Sequence, residues 1–282
     1  MIAYESTVIG IIYTIATIIL FVFVNILVLK SRKIWMDKKT NKYLLNFQDY
    51  FTYVQTHIDS DDDLLAPHSQ LNGLERYVFQ KKIISLIEHF KGDHRDKLIK
   101  LCEDMELIKL DLERLHSPLP WKRLGAIYNL GAMRSNQAIP RLLKLLEANK
   151  YDPTIFIIAR SIAKCASTED HLREMVLLLV RYRKSFHHLI VDIIQESELD
   201  CTSLMMGFLE DDDYDLIKIA LVGLPVHMEP NIVPQLYRFL DSEDEEIRMK
   251  AAGLLNSNNR FVPPGYASVQ DQDRNQSYTQ AV

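Results

Sequence analysis

The residue constellations that usually carry catalysis do not occur in this sequence. It has no phosphate-cradling glycine loop, no HExxH helix and no GxSxG elbow. His187 and His188 are adjacent, and adjacent side chains on a helix diverge by about 100°, so they cannot easily share a metal ion. Glu88, His89, Asp93 and His94 bracket a turn, where such residues act as helix caps or sit in solvent more readily than they collect a cation. Cys102, Cys165 and Cys201 stand alone without a CxxC spacing, which argues against structural zinc and a disulfide framework and fits a reducing compartment. Arg181-Tyr182-Arg183-Lys184 is a basic turn that compensates a helix C-terminus more readily than it meets a phosphate or lipid. The expectation is therefore no metal, no cofactor and no enzymatic activity.

What remains is the chemistry of recognition. With Pro140 aligned on Pro234, Arg141 matches Gln235 and Lys144 matches Arg238, and a similar alignment of the two segments between them adds Glu174, Leu177, Ser203 and Met206 to the same row. That row is basic at its ends and apolar at its centre. Such a wall could hold an extended or helical peptide, with Leu177 and Met206 as contacts and Arg141, Lys144 and Arg238 pairing with acidic side chains. The alternative is a solvated face in which Leu177 and Met206 belong to the core.

The elements that must position this row are paired amphipathic helices. Pro120 to Met133 and Ala138 to Glu147 form one pair, with Arg123, Ala126, Leu130 and Gly131 on the first and Leu142, Leu143, Leu145 and Leu146 on the second. Asp215 to Leu224 aligns without gaps on Glu245 to Leu254, a shift of 30 residues, and Ile232-Val-Pro234 restates the start of the Pro140 helix. First helices are expected near residues 119, 153, 184, 214 and 245. The acidic clusters Glu210 to Asp213 and Asp241 to Glu246 fall where they would cap first helices, the alternative being an acidic docking edge for a basic partner.

This pattern resembles the HEAT-repeat superfamily, bacterial type, closely over residues 120–255 and loosely over 74–116. The resemblance implies an all-α protein, a right-handed α-solenoid of HEAT-like helix pairs that binds other macromolecules along the wall formed by its second helices. It also implies a client in envelope or polysaccharide machinery, such as a membrane glycosyltransferase or a secretion component. Bilin lyases and HEAT-type DNA glycosylases carry related repeats, so an enzyme acting on bilin or nucleic acid is the alternative. Against it stand a membrane anchor, Trp35 and Trp121 as the only indoles, and 27 basic against 36 acidic residues after Lys42, a net of −9. An acidic body is a poor phosphate binder, so no nucleic-acid partner is expected.

Ahead of the repeats, Thr7 to Leu29 is 23 residues without a charge, about 34 Å as a helix and enough to cross a bilayer. Only Glu5 is charged before it, whereas Lys30, Arg32, Lys33, Lys38, Lys39 and Lys42 follow, with Trp35 at interfacial depth. The positive-inside rule then gives a single-pass cell-membrane protein, N-terminus outside and repeats in the cytoplasm, with Lys30, Arg32, Lys33 and Trp35 at the membrane interface. Leu44, Phe47, Phe51, Val54 and Ile58 make one apolar stripe that either packs on the first helices of the domain or pairs two copies as a coiled coil. A self-associating structural membrane protein, built through residues 7–29 and this stripe, is thus a further alternative.

The expected organisation is a short segment 1–6, a membrane helix 7–29, and a basic collar, amphipathic helix and acidic connector over 30–73. A cap or degenerate repeat over 74–118 comes next, then repeats over 119–257 and an irregular tail over 258–282. Asp59 to Gly73 is expected to be a hinge. In the tail, Phe261-Val-Pro-Pro-Gly-Tyr266 echoes Ile232 to Tyr237 and the period then stops, so the helix from Glu245 is expected to be loosely covered. Either the chain is cut short or frame-shifted after about residue 266, or a partner completes the stack.

Overall fold

The computed structural model describes residues 2–60, 62–67, 71–149, 151–182, 185–224 and 232–257. Every regular element among them is helical. The chain divides into two compact units, Met1–Met105 and Glu106–Val282.

The first unit opens with α1 (Ile2–Asn46), a helix with no proline and no glycine beyond Gly10 to break it. Its side chains are exposed from Tyr13 to Leu29, the apolar stretch included. It is the one helix among the described residues long and apolar enough to span a membrane. Thr14, Thr17 and Asn25 bond the carbonyls of Gly10, Tyr13 and Phe21 at 2.8 Å each, so these polar groups are satisfied inside their own helix.

At Phe47 the helix breaks for one residue before α2 (Gln48–His57). Phe47, Phe51, Val54 and Ile58 are buried and converge on α3 (Gly73–His89), with the rings of Phe47 and Phe51 at 5.3 and 5.4 Å from that of Phe79. The stripe therefore packs within its own unit. A coiled coil between copies would have to expose this core, which costs about 1.5–3 kcal/mol for each large side chain. Beyond it, α4 (Asp93–Asp104) buries Leu98, Leu101 and Cys102. Gly92, at φ +58°, caps α4, so Asp93 lies inside the first turn and is not the cap.

The stretch read as a hinge is tied down along its described residues. Leu64 and Leu71 are buried, the Tyr50 hydroxyl donates to the Leu65 carbonyl at 2.7 Å, and the Leu65 amide donates to the Tyr53 hydroxyl. Asp59 meets His94 at 2.6 Å, Asp63 meets Lys100 at 2.5 Å, and Lys97 donates to the carbonyls of Ile58 and Ser60. Composition suggested a loose linker; buried Leu64 and Leu71 and three side chains of α4 hold its described residues in place.

The second unit runs α5 (Leu107–Arg114), α6 (Pro120–Ala132), α7 (Ile139–Ala148), α8 (Ile155–Cys165), α9 (Glu169–Tyr182), α10 (His187–Ile194), α11 (Thr202–Leu209), α12 (Tyr214–Gly223), α13 (Val233–Tyr237) with a 3-10 turn over Arg238–Asp241, and α14 (Glu245–Ser257). First helices thus start at residues 120, 155, 187, 214 and 245, within three residues of their expected positions. Pro120, Pro140 and Pro234 all sit in first turns, where a missing N–H costs nothing.

Packing shows which helices belong together. Each first helix lies on the next, α6 on α8, α8 on α10, α10 on α12 and α12 on α14. The second helices α5, α7, α11 and α13 pack on the first helix that follows, while α9 touches α8 and α10. Two expectations change as a result. Leu107–Arg114 belongs with α6 inside the second unit, not with a cap ending at residue 118. And α14 has a partner in α13 and its 3-10 turn, with Ile247, Ala251, Ala252 and Leu255 buried, so it is covered. Phe261 to Tyr266 and the polar tail lie outside the described residues.

Candidate functional site

Charged groups line the contacts between α10, α12 and α14 of the second unit. Asp213 accepts from the Asp215 amide at 2.9 Å, and Asp244 accepts from the Glu246 and Ile247 amides at 2.9 and 3.1 Å, so both acidic clusters do cap first helices. These caps stand 31 residues apart, one more than the gapless sequence register. In the same frame His187 Nε2 meets Asp215 at 2.7 Å and Lys218 meets Glu246 at 3.0 Å, each side chain reaching an acid 28 residues on, at the start of the next helix of the series. Lys218 also binds Asp244 at 2.7 Å, and Lys250 lies 3.6 Å from Glu246 and 3.4 Å from His188. At the other end of the first helices, Glu196 receives Arg160 and Lys164, and Arg134 reaches both Glu198 and the Lys164 carbonyl.

Burial alone would lower the Lys218 ammonium, but its hydrogen bonds to Asp244 and Glu246 outweigh that and hold it above its ordinary value. Asp244 is held below the usual carboxylate range chiefly by the hydrogen bond from Lys218. For Glu246, burial pushes upward, and the Lys218 hydrogen bond and charge overcome it.

The row of second-helix residues divides in two. Arg141 and Arg238 are fastened to the protein, their guanidinium groups donating to the carbonyls of Leu112 at 3.3 Å and Leu209 at 2.6 Å, each 29 residues back. Both carbonyls lie in the last turn of the preceding second helix, where orphan acceptors and the negative dipole end favour a cation. The shared spacing makes Arg141 and Arg238 equivalent, one helical turn away from the Arg141–Gln235 match. Gln235 is half-buried, with its carbonyl oxygen buried and without a partner.

Lys144 and Glu174 are exposed and have no partner among the described residues, and Leu177 is 40% exposed. Ser203, whose hydroxyl donates to Glu169 at 2.7 Å, and half-buried Met206 come together in an open depression of about 620 Å³. Glu169, Asp200, Thr202, Gly207 and Glu210 complete its lining. Asp200 is held low by hydrogen bonds from the Thr202 side chain and amide. This part of the row is acidic, contrary to the apolar centre expected, because Asp200 and Glu210 flank α11 and Glu169 opens α9. The Asp200-Cys-Thr202 spacing of an Asx turn was the signal in the sequence for it.

Among the described residues no three His, Cys, Asp or Glu side chains converge as a metal site. His94 is taken by Asp59, His89 by the Ser85 carbonyl and His187 by Asp215. Burial pushes the Cys165 thiol up to about 12 against the pull of Arg134, and raises Cys201, which leaves both poor nucleophiles. Arg183 and Lys184 of the basic turn lie outside the described residues. In the first unit Lys30, Arg32 and Lys33 are exposed, and Trp35 is 56% exposed beneath the Lys39 ammonium, 3.9 Å from the ring centre. Comparison with profiles of protein families, with curated proteins and with solved structures yields no match.

Proposed function

We propose that this chain is a single-pass membrane protein whose second unit is a right-handed HEAT-type α-solenoid, a cytoplasmic scaffold that holds a membrane-associated protein on its second-helix face. What carries the proposal is the division of polar groups in that unit. The charged side chains between first helices are paired with one another, whereas Lys144, Glu174, Leu177 and the Ser203–Met206 depression face solvent along the second helices. The equal spacings of the His187 and Lys218 pairs, and of the Arg141 and Arg238 bonds, support the repeat. An exposed apolar helix followed by a basic collar supports the anchor and its orientation. Confining scaffold and client to one plane raises their effective concentration, so a shallow face suffices.

The test is crosslinking and capture from membranes, comparing the intact chain with Lys144→Glu/Leu177→Asp and with Ser203→Lys/Met206→Lys. One membrane protein captured by the intact chain and lost from either variant supports the scaffold and its face. Capture unchanged by both variants removes the face. Recovery of nothing but further copies of the chain replaces the scaffold with a self-associating membrane protein.

A further inference from the structure

We infer that the collar from Lys30 to Lys42 is a docking surface for anionic phospholipid headgroups, which the chain gathers around its anchor. The inference rests on the membrane anchor proposed above and adds the chemistry of the lipid. The helix does not end where the apolar stretch ends; α1 continues unbroken to Asn46. Over that continuation Lys30, Arg32, Lys33, Lys38, Lys39 and Lys42 are all exposed, with Asp37 as the only acid among them, a net of +5 in a chain of net charge −5. None of the six has an ion-pair partner among the described residues, and Lys39 alone has a contact, with the face of Trp35. This dense set of exposed cations has no counter-charge among the described residues and is open to one from outside the protein.

The helix geometry grades the surface. At about 1.5 Å rise per residue, Lys30 to Lys33 lie within about 6 Å of Leu29, inside the headgroup layer. Lys38 and Lys39 lie about 14 Å out, at the limit of the headgroups plus one screening length, and Lys42 lies about 20 Å out, beyond it. Trp35, between the two sets, sits where an indole prefers the interface. The occupant is therefore a phosphate-bearing anion held in the plane of the bilayer, with Lys30, Arg32 and Lys33 as its main contacts and Lys38 and Lys39 acting through the field.

The experiment is electron spin resonance on the full chain in nanodiscs of phosphatidylcholine with one-fifth phosphatidylglycerol, using spin-labelled forms of each lipid in turn. The expected result is a motionally restricted component that favours labelled phosphatidylglycerol about fivefold, the equivalent of about one near-surface cation. The preference should approach unity in 1 M salt, where the screening length is about 3 Å. It should also approach unity in Lys30→Gln/Arg32→Gln/Lys33→Gln, and stay unchanged in Lys42→Gln. Equal restriction of the two lipids in the intact chain overturns the inference and leaves the anchor standing. No restricted component with either lipid overturns both. Loss of the preference on adding millimolar inorganic phosphate at constant ionic strength also overturns it, because the collar would then be a general anion site and not a lipid surface.

Discussion

Two surfaces of the second unit use similar side chains in opposite ways. Between the first helices, His187, Lys218 and Lys250 each meet carboxylates on another turn or helix, and the side chains of His187 and Lys218 are only 7% and 14% exposed. On the second helices, Lys144 and Glu174 are exposed and have no partner among the described residues. The difference is one of geometry. Because α10 packs on α12 and α12 on α14, a side chain on one of these helices lies beside an acid 28 residues on, at the start of the next. Arg141 and Arg238 stand between the two cases: they lie on the second-helix face, but their heads turn back to helix C-termini. Charge between α10, α12 and α14 ties those helices to one another, whereas Lys144 and Glu174 have no such tie among the described residues.

The largest test of the packing between first helices is steric. A Cβ at Gly131 would come within 2.8 Å of the Ser161 backbone, where α6 crosses α8, whereas Gly125 on the same helix faces open space. Gly131→Val should cost about 3 kcal/mol by overpacking. Gly125→Ala should gain up to about 1 kcal/mol from helix propensity. Urea unfolding of the full chain in detergent, followed by helical circular dichroism, reads both, and equal effects would remove the close α6–α8 crossing.

Next comes Lys218→Met, which leaves Asp244 and Glu246 without their cation and should cost on the order of 2 kcal/mol. Asp244 and Glu246 have depressed values in the folded chain. Their contribution is therefore complete above the unfolded carboxylate range, about pH 4, and is lost as pH falls through the folded values. Lys218 is raised, so its share is complete below about pH 10.4 and is lost as pH climbs through its folded value. Melting temperature should thus decline on the acid side more steeply in the intact chain than in Lys218→Met. An identical acid limb in both would show that this pair does not link α12 to α14.

Much of this was legible in the sequence, for a physical reason. Helix starts at Pro120, Tyr214 and Glu245 were readable because proline and aspartate at a first turn act locally. The burial of Phe47, Phe51 and Val54 was readable because their spacing follows the helical period. Pairing was not. The choice between α6 with α7 and α6 with α5 depends on which faces meet in three dimensions, and both give the same periodicity. The 31-residue cap spacing was hidden for a related reason: a gapless match of Ile217 on Ile247 scores apolar identity, whereas the structure aligns Asp213 with Asp244. The anchoring of Asp59, Asp63 and Leu65 escaped because their partners, His94, Lys100, Tyr50 and Tyr53, lie on other elements.

A smaller effect separates fastened from free cations on the second-helix face. Arg238→Ala and Arg141→Ala should each cost about 1 kcal/mol, by removing a charge-assisted bond to a helix-terminal carbonyl. Arg238 should lose more, since its bond is shorter and its guanidinium also lies over the Phe239 ring at 4.9 Å. If both are neutral in urea unfolding, the two arginines belong with Lys144 as free surface.

The smallest expected effect on stability is at Lys144 and Glu174, and for that reason these two positions say most about recognition. Both are exposed on helices whose buried sides are complete, and a solvent-facing charge on a helix typically changes stability by less than about 0.5 kcal/mol. Lys144→Glu and Glu174→Lys should therefore melt like the intact chain. An interface reads the same change differently, because a charge brought against its like at the rim slows encounter and adds salt dependence. If the proposed scaffold reading holds, crosslinking yield with its membrane-associated partner should fall in at least one of the two variants and should recover partly in the double exchange if both face one partner of mixed charge. If yields match the intact chain at low and high salt alike, the two charges are solvated surface and any recognition lies in the acidic depression beside Ser203 and Met206.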